Sequence, residues 1–275
     1  MTETSDQASA PAAARGAAVA RPRLGGPAIP RLVAGLLILL FWEGFVRAFA
    51  PDYVAKPSSV IAAIPAVLAD PVFLSDARLT LIAVVEGLVI AVVIGTAIGL
   101  LIGRSSLADR LLRHYVNGFY AMPMIVVLPL LSLWFGYTGA ARLATIVFAA
   151  IFSIIVNVAD GAHAVPAEYL EVARSFRASR GSVLGEIVLP AATPHLLAGL
   201  RLAAGRALIG AVVAEFFTAI GGLGYYILFN SRTFRHDKAF VAVLVLAAFG
   251  VGFDALVNWS TRRFMPWYRR DEAHE

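Results

Sequence analysis

Six apolar stretches, each about long enough to cross a lipid bilayer as a helix, constrain this 275-residue chain more than any other feature. They lie at 32–50, 79–103, 116–135, 143–158, 196–219 and 239–260. About 20 apolar residues span the hydrocarbon core, where a helix pairs all of its own backbone polar groups. Only 15% of the residues are charged, against about 25% in a typical soluble domain. The sequence therefore predicts an all-α membrane protein with six transmembrane helices.

Composition divides the chain into a membrane domain and two tails. Residues 1–30 are rich in Ala, Pro, Gly and Ser, which predicts a disordered tail. We expect the transmembrane domain at 31–268 and a short C-terminal tail at 269–275. Within the third stretch, Pro123 and Pro129 interrupt the apolar run, and the fourth stretch is short, so these two have the least regular boundaries.

Several classes of site are not indicated by the sequence. The chain has no cysteine, which excludes disulfides and cysteine-based metal or redox sites. Its five histidines are scattered without metal-ligand spacing, and no G-x-x-x-x-G-K-[ST] phosphate loop occurs. The net charge of +5 comes from arginines beside the apolar stretches, so we expect no nucleic-acid partner. We expect no cofactor and no ATP bound by this chain.

The polar connector at 166–190, between the fourth and fifth stretches, is long enough to fold by itself. It carries Arg174, Arg177 and Arg180, and loops rich in Lys and Arg face the cytoplasm. Placing both termini in the cytoplasm puts fourteen basic residues on that side and six on the other. We therefore expect the spans to contact membrane lipid and both termini to lie in the cytoplasm.

The same connector is predicted to form two short helices. Pro166 suits a first helical turn, and Leu170, Ala173 and Phe176 recur every three residues as an apolar edge. The second helix should begin near residue 182 and stop before Pro190. Such an edge suits insertion into a groove of another protein, and an interfacial helix lying on lipid headgroups is the alternative.

The connector resembles the "EAA" loop of permeases in binding-protein-dependent ABC importers. That loop reads Glu-Ala-Ala, three residues, Gly, nine residues, Ile, one residue, Leu-Pro. The corresponding residues here are Glu171, Val172, Ala173, Arg177, Ile187, Leu189 and Pro190. Arg177 departs from the family glycine. If that glycine marks a bend, Gly181 takes over the bend; if it allows close approach, Arg177 projects toward the partner.

Further segments resemble the nitrate, sulfonate and taurine branch of the same family. The segments are Pro123 with Pro129-Leu130 and Trp134-Phe135-Gly136, then Asn157 and Gly161, Gly199 to Arg201, Gly205 to Ala207, Ala214-Glu215, and Gly222 to Gly224. The resemblance implies a type I permease fold and the transport of a small solute across the bacterial inner membrane. It implies that this chain is a transport subunit and that it is not itself an enzyme.

The resemblance also implies the partners. A cytoplasmic ABC ATPase dimer would bind ATP and dock on Glu171, Ala173 and Phe176, while Leu189 and Pro190 lead back into the membrane. A periplasmic or lipid-anchored solute-binding protein would dock on the outer face. A second permease subunit, expected to be a copy of this chain, would complete the pathway.

Small residues in the second stretch recur every four positions, at Gly87, Ala91, Gly95, Gly99 and Gly103. Such a stripe lets another helix approach closely in lipid. Two interpretations stay open at this point, packing within one subunit and a seam between two subunits.

Charged residues inside the spans are costly unless they are paired or face water. Their depths, counted along the helices, pair Arg206 with Glu43 and Arg201 with Asp254, and Arg47 can also reach Glu43 on the same helix. Alternatively these side chains reach the headgroups or water. Arg206 lies near the bilayer centre, and it would favour an anion if it faced the pathway.

Two other classes of protein are alternatives to this family. A secondary transporter or channel independent of an ATPase would need paired internal repeats and broken helices around an ion site. An intramembrane enzyme would need a nucleophile, a base or metal ligands within the spans. Neither pattern is visible in the sequence.

Overall fold

The computed structural model describes residues 28–51 and 53–264. The tail predicted at 269–275 and residues 1–27 of the N-terminal tail lie outside this part, whereas residues 28–30 already belong to the first helix. The described residues form α-helices and one π-helical turn. In order these are α1 Ala28–Phe49, α2 Pro57–Leu68, α3 Pro71–Arg104, α4 Ser106–Ala121, α5 Met124–Phe135, α6 Gly139–His163, α7 Ala167–Ser175, α8 Arg180–Ser182, the π turn Val183–Val188, α9 Leu189–Thr218, α10 Leu223–Arg232 and α11 His236–Phe264.

The predicted all-helical membrane fold is confirmed. In the described part, five helical segments are long and apolar enough to cross a membrane, and a sixth span results if the bent pair α4–α5 counts as one. Three of the helices, α3, α4 and α6, begin at a polar N-cap residue. The side chains of Asp70, Ser105 and Thr138 each accept a hydrogen bond from a backbone N–H in the first turn.

The small-residue stripe of α3 packs against α6 of the same chain. A methyl group added to Gly95 would lie 2.9 Å from Ile154 Cβ, and one on Gly99 would lie 2.8 Å from Val158 Cβ. On Gly103 it would lie 2.5 Å from Ala162 Cβ. The helices therefore touch backbone to backbone, and packing within one subunit is the correct interpretation of the stripe.

This register also shows that α3 and α6 run parallel. Gly95, Gly99 and Gly103 lie against Ile154, Val158 and Ala162, in the same order and with the same spacing of four residues. Both helices therefore end on one side of the molecule, which we call the loop side because the connector follows α6. The chain between Arg104 and Gly139 must cross back, so α4 and α5 together form the remaining span.

The return crossing is broken, which corrects the single third span predicted at 116–135. α4 ends at Ala121, α5 begins at Met124, and their axes differ by 103°. Proline has no N–H and forces the residue before it out of the helical region. Pro123 therefore breaks the helix at Met122 (ψ 130°), whereas Pro129 is accommodated within α5.

The last long helices run antiparallel to their neighbours. Gly161 of α6 abuts His195 near the start of α9, whereas Ala149 abuts Gly210 further along α9. Helix α9 thus leaves the loop side and α11 returns to it, as the contact of Arg201 with Asp254 near the end of α11 requires. The core lies between α3, α6 and α9, where Val84, Ile146, Ile154, Ala203 and Ala207 are among the buried side chains.

The described ends of the chain lie on the loop side. The Trp42 ring near the end of α1 lies 5.4 Å from the Phe240 ring near the start of α11. Beyond α1, Tyr53 lies 6.0 Å from His236. Helix α1 is thus antiparallel to α11, and it begins where α11 ends.

Candidate functional site: the polar connector and the charges within the spans

The connector forms a helix, a tight bend and a second helix that continues into the membrane. Pro166 is the N-cap of α7, and Glu168 lies in its first turn, where a carboxylate favours the positive end of the helix dipole. Glu171, Arg174 and Arg177 are all exposed to solvent. The connector therefore presents mixed charge on the loop side.

The bend lies at Arg177 itself. Arg177 has φ 54°, in the left-handed region, while Gly181 continues the second helix. The Ala178 N–H donates to Ala173 O and the Arg177 N–H donates to Arg174 O, each at 2.9 Å. These two bonds are those of a Schellman motif, which usually places glycine at this position. The idea that Gly181 takes over the bend is therefore wrong.

The second helix does not stop before Pro190, contrary to the prediction. It begins at Arg180, passes through the π turn Val183–Val188 and runs into α9 as one segment of 39 residues. The Leu189 N–H donates to Leu184 O across five residues, and Pro190 lies in the first turn of α9. The π turn changes the pairing register at the point where proline lacks its donor, so the helix continues.

Only part of the predicted apolar edge is available to another protein. Ala173 is 7% exposed and Leu170 and Ile187 are half-buried, the latter two in a small cluster with Val165 and Val188. The contact predicted for Ala173 stays a prediction, and its side chain faces its own chain, so it offers little exposed apolar surface. Phe176 is 82% exposed, and Tyr169 and Val172 are also exposed. We call Tyr169, Val172 and Phe176 the exposed edge.

One of the two predicted cross-span pairs is present. Arg201 Nε lies 3.0 Å from Asp254 Oδ1, joining α9 to α11 near the loop side. Asn258, one turn later, donates to the other Asp254 oxygen at 2.8 Å and also contacts the Arg201 guanidinium. The arginine and the carboxylate are both about half exposed.

The pair predicted between Arg206 and Glu43 is wrong. Glu43 accepts hydrogen bonds from Arg47 Nε at 2.6 Å and from the Ser58 backbone N–H at 3.0 Å. The contact with Arg47 on the same helix was predicted and is confirmed. Arg206 instead places its guanidinium 4.0 Å from the Tyr120 ring centroid and donates to Tyr120 O at 3.3 Å. Matched depth did not identify the neighbour, because α1 packs on α2 and α11.

Arg206 lines a cavity of about 300 Å³ at the middle of the spans. Tyr120 and Met122 bring the break between α4 and α5 to its wall, and Phe148 and Phe152 of α6 also line it. Phe119 stacks on Phe152 with ring centroids 5.7 Å apart. The cavity therefore combines one cation with an aromatic lining.

A second polar cluster, at the end of α9 opposite the loop side, was missed at the sequence level. The Glu215 side chain is fully buried and accepts hydrogen bonds from Thr80 Oγ1 at 2.9 Å and from the Gly224 N–H at 2.8 Å. Arg142 lies 3.5 Å from the same carboxylate and donates to Gly221 O at 3.0 Å. The cluster joins α3, α6 and α9 to the segment before α10. In the sequence, Glu215 and Gly222 to Gly224 stand out only as parts of the family resemblance, and no local pattern links them to Thr80 or Arg142.

The fold, the connector and these charges can be compared with known proteins. Residues 91–266 match the family model described as binding-protein-dependent transport system inner membrane component, which covers more than half of the chain. The chain belongs to this family. The resemblance drawn from the connector is thereby confirmed, and the protein is the membrane-spanning permease subunit of an ABC importer, carried as a multi-pass protein in the inner membrane.

Curated relatives of the permease are similar over most of their length. The protein named SsuC, for aliphatic sulfonates transport, of Bacillus subtilis (strain 168) is 25% identical over 86% of each chain. The nitrate import permease protein NrtB of Synechococcus elongatus is 27% identical over 92% of this chain and 95% of its own. The formylaminopyrimidine transport permease protein ThiX of Halalkalibacterium halodurans is 26% identical over 86% and 94%, respectively.

A solved structure supports the fold of the permease. A chain in the crystal structure of an amino acid ABC transporter with histidines superposes with a TM-score of 0.58 at 19% identity. It covers 77% of this chain and 100% of its own. At this identity the likeness concerns the fold alone.

Proposed function

We propose that the permease receives a small solute, of the nitrate, sulfonate or taurine type, from a solute-binding protein and passes it across the membrane. A separate ATPase dimer binds and hydrolyses ATP, and it docks on the connector. A second copy of the permease completes the pathway. The names of the relatives, which include sulfonates and nitrate, support this range of solutes.

The observation that carries the proposal is the exposed edge of α7 together with its continuity to the membrane. Val172 and Phe176 are apolar and exposed, and Glu171 lies beside them on the surface. An amphipathic helix of this kind suits a groove on another protein. The unbroken helix from Arg180 to Thr218 then links the docking region to the cavity beside Arg206. A displacement at the connector would therefore reach the middle of the membrane.

Charge supports placing the loop side in the cytoplasm. The loop side carries Arg104, Arg174, Arg180 and Arg262, each at a helix end or in the connector. Basic residues near the ends of spans are retained on the cytoplasmic side during insertion. Both termini of the permease would then be cytoplasmic, with the Glu215 cluster toward the outer face.

Reversal of one charge tests the docking role. We expect Glu171→Lys to abolish ATP-dependent uptake and to remove ATP hydrolysis from the permease purified in detergent from its host. The proposed partner surface accommodates the negative charge of Glu171, so a lysine there would face a positive surface. Like charges across an interface cost several kcal/mol. Membrane insertion and yield should not change, because Glu171 is exposed and has no buried contact.

Glu186→Lys is the matched control. Glu186 is exposed in the π turn Val183–Val188, outside the exposed edge of α7. It should retain uptake and ATP hydrolysis. Normal uptake by Glu171→Lys, or equal loss in both variants, would contradict the docking role assigned to Glu171.

A further inference from the structure

We infer that the cavity around Arg206 binds the acidic group of an organic oxyanion, a sulfonate or carboxylate that carries a carbon tail. The inference rests on the proposed transport function and narrows its substrate class. Within that class it favours organic solutes over small inorganic anions such as nitrate. Three features of the cavity indicate this ligand: the charge of Arg206, the broken helix beside it and the side chains that line it.

The charge of Arg206 is not balanced by a carboxylate. Among residues 28–51 and 53–264, the acidic side chains with ion pairs are matched to other arginines, and Arg206 donates only to the carbonyl of Tyr120. A guanidinium has five N–H donors in a planar fork that suits carboxylate and sulfonate oxygens. Most of those donors remain for a ligand. A half-buried cation at this depth is costly, and an anion in the cavity would offset that cost.

The break between α4 and α5 adds to the positive potential. Irregular backbone at membrane depth is tolerated where it is buried in protein or lines a cavity. Met122 and Met124, on either side of Pro123, both line this cavity. α5 begins at Met124, which lines the cavity, so the positive end of the α5 dipole lies at the cavity wall. Tyr120, whose carbonyl accepts the hydrogen bond from Arg206, lies at the end of α4 beside this break.

The lining indicates what is attached to the acidic group. Phe119, Phe148, Phe152, Met122 and Met124 contribute aromatic and thioether surface. Nitrate would satisfy the guanidinium but would leave this surface and most of the roughly 300 Å³ to water. A short alkyl or aryl tail would bury against it, and each buried methylene strengthens binding by about fourfold. The geometry therefore favours a solute with an oxyanion at one end and an apolar group at the other.

The cavity lies level with the middle of the spans. Phe148 and Phe152 flank the centre of α6, and Ala149 beside them abuts Gly210 of α9. Arg206 is one turn from Gly210 toward the loop side. A ligand here would be held about halfway across the membrane, which suits a transient stop on a transport path.

Ligand-dependent stabilisation of the permease tests the inference directly. The full chain is purified with the subunits that remain bound to it and is placed in lipid nanodiscs. Its thermal unfolding temperature is then measured at increasing concentrations of sodium methane-, propane- or pentane-1-sulfonate, or of sodium nitrate. We expect saturable stabilisation by the sulfonates, with half-saturation falling about fourfold per added methylene. Nitrate should bind at least tenfold more weakly than pentanesulfonate. Arg206→Gln should raise the half-saturating sulfonate concentration more than tenfold, and Arg206→Lys should fall between it and the wild type.

Arg201→Gln is the matched control, since Arg201 lies on the same helix but is paired with Asp254 outside the cavity. It should bind the sulfonates like the wild type. Equal binding by Arg206→Gln, nitrate binding as tight as pentanesulfonate, or no sulfonate binding by the wild type would overturn the inference. The presence of ATPase activity in the same preparation reports separately on the proposed function. Its absence would count against ATPase docking and leave the binding result intact.

Discussion

Arg177 is the residue at which this permease departs from its family's loop pattern while keeping the backbone shape. A non-glycine residue in the left-handed region is strained by about 1–2 kcal/mol. Its φ of 54° and the two hydrogen bonds around it show that the bend is still made here. Of the two interpretations of the family glycine, the backbone supports the bend, which stays at position 177 and does not move to Gly181.

Relief of this strain is measurable. Arg177→Gly should stabilise α7 by about 1 kcal/mol, because glycine adopts the left-handed conformation freely, less a smaller loss from the entropy of the unfolded loop. Hydrogen exchange of the α7 backbone amides should slow by about fivefold. Arg174→Gly is the control: it lies within α7 and should speed exchange, since glycine costs about 1 kcal/mol in a helix. Faster exchange in both variants would contradict a left-handed Arg177.

Glu215 illustrates a residue whose role the sequence could not reveal. Its partner Thr80 is 135 positions away, and no local pattern links the two. Glu215→Ala would leave Thr80, the Gly224 N–H and Arg142 without their acceptor, which should cost about 3–5 kcal/mol. Glu215→Gln keeps one acceptor and should lose less. Thermal unfolding in detergent measures both, with exposed Glu186→Ala as a control expected near wild type.

At the scale of helices, the spacing of small residues on α3 identified its packing face, whereas matching the depths of charged residues identified only one of two ion pairs. The four-residue stripe on α3 identified the face that packs, because small residues at one helical spacing must share a face. The continuous helix through Pro190 was not predictable in the same way. A proline signals a helix end only if the chain cannot change its hydrogen-bonding register, and here a π turn does so.

The close approach of α3 and α6 gives a test at this scale. Gly99→Ala would push a methyl group to 2.8 Å from Val158 Cβ and 2.9 Å from Ile155 O. Since neither neighbour is the flexible end of a long side chain, we expect a loss of about 1–3 kcal/mol in stability. Gly205→Ala on α9 meets nothing within 4 Å and should be neutral or stabilising by up to about 1 kcal/mol. Thermal unfolding of both variants in detergent makes the comparison, and equal melting would contradict this packing.

For the whole molecule, the sequence predicted the class of fold, the family and five of the six crossings as single helices. It did not predict the broken crossing, because Pro123 indicates where the helix can break but not the 103° angle, at which α5 packs against α6 and α9. The contacts of Arg206 were missed for the same reason. Side-chain partners across helices are set by packing, which a position along one helix does not encode.

The central claim is that the connector docks an ATPase, and the absence of cysteine from the chain makes a direct measurement clean. Single cysteines at Val172 and Phe176 place a thiol on the exposed edge, and Arg232→Cys places one at the opposite end of the molecule. With a short bifunctional cross-linker on membranes of the native host, the first two variants should form a covalent adduct with the ATPase and Arg232→Cys should form none. Cross-linking of Arg232→Cys to the ATPase, or none from either edge position in membranes that still transport, would contradict the claim.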